Sequence, residues 1–423
     1  MRTVGYIPYA PTAHSVEAGW LGGHLGTPVQ VVTGPTLNLA PPQPLPPLDG
    51  LTTTVDDLLG LDAVVAEGPA GFLWSALLRA AGFAGAVTVL PYLNPRSWYD
   101  VAAAALYRRS ATPGDRVFVG STPSASVYGA VGVDARVGEP FGVDDDRFDV
   151  RPGARRVLAQ LSIPPGRMLL FAGRAQPDKD LYRLLRVALK ARMLFPDLRI
   201  VVATHVVDAS YLEPVGAADG VHVVVDPTPD QLADLYNVAD VFVTASTSHF
   251  ETFGRAPAEA LCCGTPAVAP RYDGFVEVLD QPGGTLVDVE VDLSTAAPHV
   301  DEAKLLRAVY DVLSDPQPPR RTEVATIARR RFGRSHTLRQ FDDVPPTRTA
   351  HPVALDLPAA WHEPLAEIAR RHPADAISYF WHHCDHAALS QADDDLVTKV
   401  RRALCAPVPV RVGADQEELQ GCR

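Results

Sequence analysis

The sequence predicts two Rossmann-like, doubly wound α/β domains followed by a helical C-terminal extension. Its 423 residues are too many for one compact unit, since a domain holds roughly 150 residues. Short runs rich in Val and Ile alternate with longer helical runs, as buried parallel strands and their crossover helices do. The alternation stops near residue 143 and restarts near residue 167, so the chain contains the pattern twice.

The first predicted domain covers residues 1–150 and alternates strands with helices. The strands are predicted at Thr3–Tyr9, Val29–Thr33, Asp62–Glu67, Ala86–Leu90 and Arg116–Gly120. The helices between them are predicted at Ser15–Leu25, Gly71–Ala81, Ser97–Arg109 and Ser124–Gly132. A Pro/Leu-rich stretch at 35–49 has no hydrophobic period, which indicates a surface loop.

The second predicted domain covers residues 151–325, after a linker near 143–165. Its strands are predicted at Arg167–Gly173, Leu198–Ala203, Val221–Val225, Val241–Ser246 and Thr265–Ala269. Its helices are predicted at Lys179–Leu194, Pro229–Val238, Arg255–Cys263 and Glu302–Ser314. Residues 326–423 form the predicted extension, with helices at Glu323–Arg334, Pro358–Arg371, Ala374–His386 and Ala392–Leu404.

Composition and charge exclude several classes of function. Lys and Arg number 38 against 50 Asp and Glu, so the net charge of −12 argues against a nucleic-acid binder. No apolar run of about 18 residues or signal peptide is visible, which favours a cytoplasmic protein without a spanning helix. The 5 cysteines form neither a disulfide framework nor a zinc motif. The four lysines against many arginines suggest a GC-rich bacterial source.

The stretch 241–270 carries two carboxylates at a predicted ligand-binding edge. Glu251 lies in the loop beyond a parallel strand, where open α/β sheets bind ligands. Glu259 is expected in the first turn of the next helix, whose N-terminus favours a phosphate. Each carboxylate can accept two hydrogen bonds, so the pair suits a ligand with two sets of vicinal hydroxyls. The alternatives are a solvated loop acid for Glu251 and a dipole-compensating helix residue for Glu259.

The stretch 171–185 places two cations after a predicted strand. Arg174 begins the loop and Lys179 opens the next predicted helix. A guanidinium that binds two oxygens at once, with an ammonium beside it, would form a diphosphate clamp. The alternative for Lys179 is an exposed surface lysine.

These stretches resemble the C-terminal domain of retaining GT-B glycosyltransferases of family four, also called glycosyl transferases group one. The resemblance is specific over about residues 115–290. It is carried by four short motifs: Gly173-Arg174 with Lys179, Glu251-Thr252-Phe253-Gly254 with Glu259, residues 260–268, and residues 142–144. The resemblance implies a GT-B fold with a cleft between its domains. It further implies that Gly173, Arg174 and Lys179 hold the donor diphosphate. Glu251 and the backbone of residues 252–254 would contact the donor sugar, and Glu259 the ribose. No metal or other cofactor is implied.

The acceptor side departs from the family pattern. Family members commonly carry a His at the end of an N-domain strand, whereas the comparable ends here hold Glu67, and Tyr92 with Asn94. We therefore expect Glu67, Tyr92 or Asn94 to face the acceptor. His14 is a further candidate, near the phosphates.

The prediction is a bacterial retaining glycosyltransferase that moves a sugar from a UDP- or GDP-sugar to a small-molecule acceptor, in natural-product or antibiotic biosynthesis. Two alternatives remain: a sugar-nucleotide isomerase or phosphorylase on the same fold, and a non-catalytic sugar-nucleotide binder. The residues after Pro352 are expected to cap the acceptor side or to form a homodimer. Histidines at 382–386 could bind zinc by their spacing, but no HExxH motif supports this.

Overall fold

A computed structural model of the chain describes residues 3–9, 15–32, 54–95, 98–205, 212, 215–216, 218–248, 251–291 and 298–342. Two parallel six-stranded sheets form its framework. His14, the Pro/Leu-rich stretch 35–49 and every helix predicted beyond residue 342 lie outside the described residues. No helix in the described ranges is both long enough and apolar enough to cross a membrane.

The first sheet has the strand order β2-β1-β3-β4-β5-β6. Its strands are Val4–Ile7 (β1), Val29–Val31 (β2), Ala63–Glu67 (β3), Ala86–Leu90 (β4), Arg116–Val119 (β5) and Arg136–Val137 (β6). The helices are Val16–Leu25 (α1), Gly71–Ala80 (α2), Trp98–Ser110 (α3) and Thr122–Ala130 (α4). Strands β3 and β4 are buried along their whole length, in agreement with sequences that are apolar apart from Glu67 and Thr88.

The second sheet has the order β12-β11-β10-β7-β8-β9. Its strands are Met168–Ala172 (β7), Arg199–Thr204 (β8), Val221–Val225 (β9), Val241–Val243 (β10), Ala267–Pro270 (β11) and Gly284–Val287 (β12). Val289–Val291 (β13) and Pro298–Val300 (β14) form an antiparallel pair. The helices are Arg156–Gln160 (α5), Leu181–Leu194 (α6), Pro229–Val238 (α7), Arg255–Cys262 (α8), Gly274–Leu279 (α9), Glu302–Ser314 (α10) and Arg321–Phe332 (α11).

The chain returns to the first domain after α11. Val143 and Gly333 form a parallel bridge at the crossing point. Arg334–Thr337 (α12) and a 3₁₀ turn, Leu338–Phe341, follow. The ring of Phe341 packs 5.7 Å from that of Phe141 in the core of the first domain. The last described segment therefore joins the two domains a second time.

The two-domain fold predicted from the sequence is confirmed in its main strands. Strands β6, β12, β13 and β14 were not predicted, nor were α5 and α9. These elements have two to six residues each, which is too short for hydrophobic periodicity to indicate them.

Candidate functional site

A cavity of about 820 Å³ lies between the two domains, at the carboxyl ends of both parallel sheets. Open α/β sheets bind ligands at this edge. Ten of the predicted site residues line the cavity: Glu67, Tyr92, Gly173, Arg174, Lys179, Glu251, Thr252, Phe253, Gly254 and Glu259. Asn94 does not, and His14 lies outside the described residues.

The loop after β7 fixes the orientation of Arg174. Its Nη2 lies 3.1 Å from Oδ2 of Asp178, and its Nη1 contacts Gln176. The Asp178 carboxylate also accepts a hydrogen bond of 3.3 Å from the hydroxyl of Ser248. The guanidinium is therefore held at the cavity wall by an ion pair that is itself anchored.

Lys179 and Glu251 form an ion pair of 2.5 Å. Lys179 ends a 3₁₀ turn, Pro177–Lys179, and α6 begins only at Leu181. The predicted start of this helix at Lys179 is therefore wrong by two residues. The pair is largely buried, with 14% and 12% of the two side chains exposed. Two residues far apart in the chain thus meet at the donor side of the cavity.

Glu259 lies one turn after the start of α8. Gly254, with φ of 85°, is the residue before the helix, which begins at Arg255. Glu259 therefore lies in the second turn rather than in the predicted first. The hydroxyl of Tyr236 donates a 3.0 Å hydrogen bond to its carboxylate. Burial raises the pKa of Glu259 to about 7, although the Arg255 guanidinium opposes the shift.

The loop that carries Glu251 is fixed against the first domain. The hydroxyl of Thr252 donates a 2.7 Å hydrogen bond to the backbone oxygen of Tyr92. Gly120, directly after β5, approaches so closely that a Cβ there would lie 2.5 Å from the Thr252 oxygen and 2.7 Å from the Phe253 Cβ. The absence of a side chain at residue 120 allows this contact.

On the first domain, Glu67 ends β3 and lies beneath the cavity. Its carboxylate accepts hydrogen bonds from the hydroxyls of Tyr6 and Tyr92, the latter at 2.6 Å, and from the Tyr9 backbone N–H at 3.0 Å. Burial raises the pKa of this carboxyl, and these hydrogen bonds oppose the shift. Glu67 and Tyr92 thus form one buried polar network at the cavity wall.

Asn94 requires a correction. It is 0% exposed, and its Nδ2 donates a 2.7 Å hydrogen bond to Asp273 of the second domain. Asp273 also accepts hydrogen bonds from Ser121 and, at 3.0 Å, from Ser124. Burial raises the pKa of Asp273 to about 7. The prediction that Asn94 faces the acceptor is therefore wrong, because its amide is used in the contact between the domains.

Four further ionisable residues, which no sequence motif indicated, line the cavity: Glu17, Glu139, His205 and Arg255. His205 directly follows β8 and Glu139 lies two residues after β6. The position of His205 after a predicted strand could have indicated it, whereas Glu139 follows a strand too short to predict. Burial raises the pKa of Glu139 to about 7, with the Arg255 guanidinium opposing. Within the described ranges, no group of three or more His, Cys, Asp and Glu residues could hold a metal ion; residues 382–386 lie outside those ranges.

Comparison with known families supports the sequence resemblance. Residues 159–327 match the model of the family described as glycosyl transferases group 1. The chain is 39% identical over 162 residues to D-inositol 3-phosphate glycosyltransferase 2 of Catenulispora acidiphila, covering 34% of this chain and 37% of that protein. It is 38% identical over 189 residues to D-inositol 3-phosphate glycosyltransferase of Mycobacterium tuberculosis. This match covers 41% of this chain and 38% of that protein. The matches thus span less than half of the length of these relatives.

Solved structures show the same fold. The Anabaena protein HepE, solved with UDP and glucose, has a TM-score of 0.63 at 15% identity, covering 81% of this chain and 99% of that one. Sucrose-phosphate synthase from Thermosynechococcus elongatus has a TM-score of 0.61 at 17% identity. This match covers 81% of this chain and 98% of that one. The GT-B architecture predicted from the sequence is confirmed.

Proposed function

Because residues 159–327 match glycosyl transferases group 1 and the chain has the GT-B fold, we propose that the protein is a retaining glycosyltransferase. Its donor would be a nucleoside-diphosphate sugar and its acceptor a small molecule with a free hydroxyl group. One observation carries the proposal. Arg174, Lys179, Glu251 and Glu259 line one cavity at the carboxyl ends of two parallel sheets.

The charges on the second domain suit the donor. Arg174 and Lys179 provide positive charge after β7, and the N-terminus of α8 adds the partial positive charge of its backbone N–H groups. The Lys179 ammonium has three donors and uses one on Glu251, which leaves two for a phosphate oxygen. The Glu259 carboxylate, one turn farther along α8, would accept the ribose hydroxyls.

The proposed reaction exchanges one bond at the anomeric carbon for another on the same face of the sugar. The acceptor oxygen forms the new glycosidic bond as the bond to the leaving phosphate breaks. The acceptor proton passes to an oxygen of the departing nucleoside diphosphate. Arg174 and Lys179 stabilise the negative charge that develops on this phosphate. The scheme requires no metal, so activity should persist in a chelator such as EDTA.

The relatives suggest a second acceptor class. Their names specify D-inositol 3-phosphate, so transfer to this phosphorylated cyclitol is the second candidate for this chain. UDP is the first nucleotide to test because HepE was solved with it. The natural-product setting expected from the sequence remains a hypothesis.

Incubation with UDP- and GDP-sugars tests the proposal. Slow release of nucleoside diphosphate by hydrolysis, accelerated by an acceptor, supports glycosyl transfer, and retention is read from the anomeric configuration of the product by NMR. Epimerised sugar or dependence on inorganic phosphate would instead favour an isomerase or phosphorylase. Binding without turnover would favour a non-catalytic binder.

A further inference from the structure

The wall of the cavity that the first domain contributes is acidic. Glu17, Glu67 and Glu139 line it, and none of the described first-domain residues on this wall is a Lys or Arg. The sequence contains no lysine before Lys179. A phosphorylated acceptor would therefore meet negative charge on this side.

The two walls of the cavity carry side chains of opposite charge. The described Lys and Arg residues that line the cavity, namely Arg174, Lys179 and Arg255, all belong to the second domain, where the donor diphosphate is expected. The cleft thus favours an anionic donor on one wall and a cationic acceptor on the other.

Glu139 has an unused acceptor atom. The residue is only 8% exposed, and its Oε1 has no hydrogen-bond partner. Its carboxylate also accepts a hydrogen bond from the backbone N–H of Phe141. The residue lines the cavity, but Oε1 itself is turned away from solvent, so a ligand reaches it through a rotation of the carboxylate. A buried acceptor without a partner is unfavourable, and a donor that meets the rotated carboxylate removes this cost. Glu67 differs, because two tyrosine hydroxyls and a backbone N–H already occupy its oxygens.

The charged side chains near Glu139 do not prevent a ligand from binding its carboxylate. Arg255, Glu67 and Glu17 are its charged neighbours. Arg255 makes no ion pair with Glu139 or with any other described residue, and it lies at the start of α8, beside the expected donor phosphates. An ammonium group supplies three donors and a positive charge, which complements both the free oxygen and the acidic wall.

We infer that the acceptor is a small polyol that carries an ammonium group and no phosphate, and that this ammonium binds Glu139. The inference rests on the proposed function and specifies its acceptor. The hydroxyl that receives the sugar would face the opposite wall, where the anomeric carbon of the donor is expected.

Matched acceptors test the inference on the wild-type protein. We would compare an aminocyclitol with its N-acetyl derivative, the neutral cyclitol and the cyclitol monophosphate. Glucosamine, N-acetylglucosamine, glucose and glucose 6-phosphate form a second set. The readouts are kcat/KM for transfer and affinity in the presence of the nucleoside diphosphate. The free amines should exceed their N-acetyl forms by at least about tenfold, as one charge-assisted hydrogen bond is worth about 1.5–3 kcal/mol.

Amines that bind no better than their N-acetyl forms in both sets would overturn the inference, as would a preference for the phosphates. The slow hydrolysis of the donor is a separate readout. If no donor is bound or hydrolysed, the proposed function fails; if hydrolysis proceeds but amines are not preferred, only this inference fails.

Variants of Glu139 test whether the preference for amines depends on this residue. Glu139→Gln should lower the ratio of amine to N-acetyl kcat/KM by about tenfold, and Glu139→Lys should shift the preference towards the phosphates. Glu290→Gln is the matched control, since Glu290 pairs with Lys304 on the surface, away from the cavity. An unchanged ratio in Glu139→Gln would contradict the assignment. Should the Glu139 variants not fold, the wild-type comparison still decides.

Discussion

The ammonium of Lys179 lies 2.5 Å from the Glu251 carboxylate and joins the loop after β7 to the loop after β10. Both side chains are largely withdrawn from solvent, so each orients the other at the cavity wall. The pair links the residue proposed to stabilise the leaving phosphate with the residue proposed to contact the donor sugar. Binding of the donor would place the leaving phosphate beside Lys179 and the sugar beside Glu251.

Replacing Lys179 by Ala should lower turnover more than donor affinity. The ammonium is proposed to stabilise charge that develops only as the phosphate leaves, so kcat should fall by about 10²–10³-fold. Steady-state kinetics with saturating acceptor measures this. Lys190→Ala is the matched control, because Lys190 pairs with Glu302 on the exposed face of α6 and does not line the cavity. Equal kinetics for Lys179→Ala and the control would refute the role of Lys179.

Glu259 should make donor affinity depend on pH. Its carboxyl has a pKa of about 7, raised by burial and by Asp144 and lowered by Arg255 and the Tyr236 hydrogen bond. The ionised form accepts charge-assisted hydrogen bonds from ribose hydroxyls, whereas protonation removes the charge and converts one oxygen into a donor. The dissociation constant of the UDP- or GDP-sugar should therefore rise up to tenfold per pH unit below 7 and level off above it.

Glu259→Gln checks this assignment. The amide does not titrate, so the dependence near pH 7 should disappear, and affinity at pH 8 should fall by about 10- to 100-fold through loss of a charged acceptor. Titration calorimetry across pH 5.5–8.5 measures both effects. A variant that retains the wild-type pH dependence would exclude Glu259 as its source.

The close approach at Gly120 should be required for activity. A Cβ at this residue would lie 2.5 Å from the backbone oxygen of Thr252. Gly120→Ala should therefore displace the loop that carries Glu251 and lower kcat/KM by at least about tenfold, since small misplacements at an active site are costly. Gly129→Ala is the control: nothing lies within 4 Å of its Cβ, and it is inside α4. That variant should be active and more stable by about 0.5–1 kcal/mol. Full activity of Gly120→Ala would contradict the prediction.

Asn94 and Asp273 should be energetically coupled. Their 2.7 Å hydrogen bond joins the two domains in a fully buried setting. Each single change to Ala leaves a buried polar partner unsatisfied, at about 1–3 kcal/mol. A double-mutant cycle on the free energy of unfolding should give a coupling of about 0.5–3 kcal/mol. Strict additivity of the two changes would show that the contact contributes nothing.

The parts of the fold that the sequence predicted are those with a clear hydrophobic pattern. Strands β3 and β4 are mostly apolar, and the long helix α6 is amphipathic, with its buried residues at helical spacing. The local motifs also placed Arg174, Lys179 and Glu251 at one edge, because the carboxyl ends of parallel strands share that edge.

Other features depend on backbone geometry that the sequence does not signal. Tyr92 adopts a φ of 57°, which is uncommon for a residue with a side chain. The chain beyond it carries Asn94 to the second domain rather than to the cavity. Glu139 follows a strand of two residues, so no periodic pattern indicated it.

The most direct test of the donor site is a crystal structure obtained after soaking with UDP and GDP in competition. The bound diphosphate should contact Arg174, Lys179 and the first N–H groups of α8, with the ribose hydroxyls on Glu259. A nucleotide bound elsewhere, or bound in the cavity with its phosphates away from Arg174 and Lys179, would contradict the account.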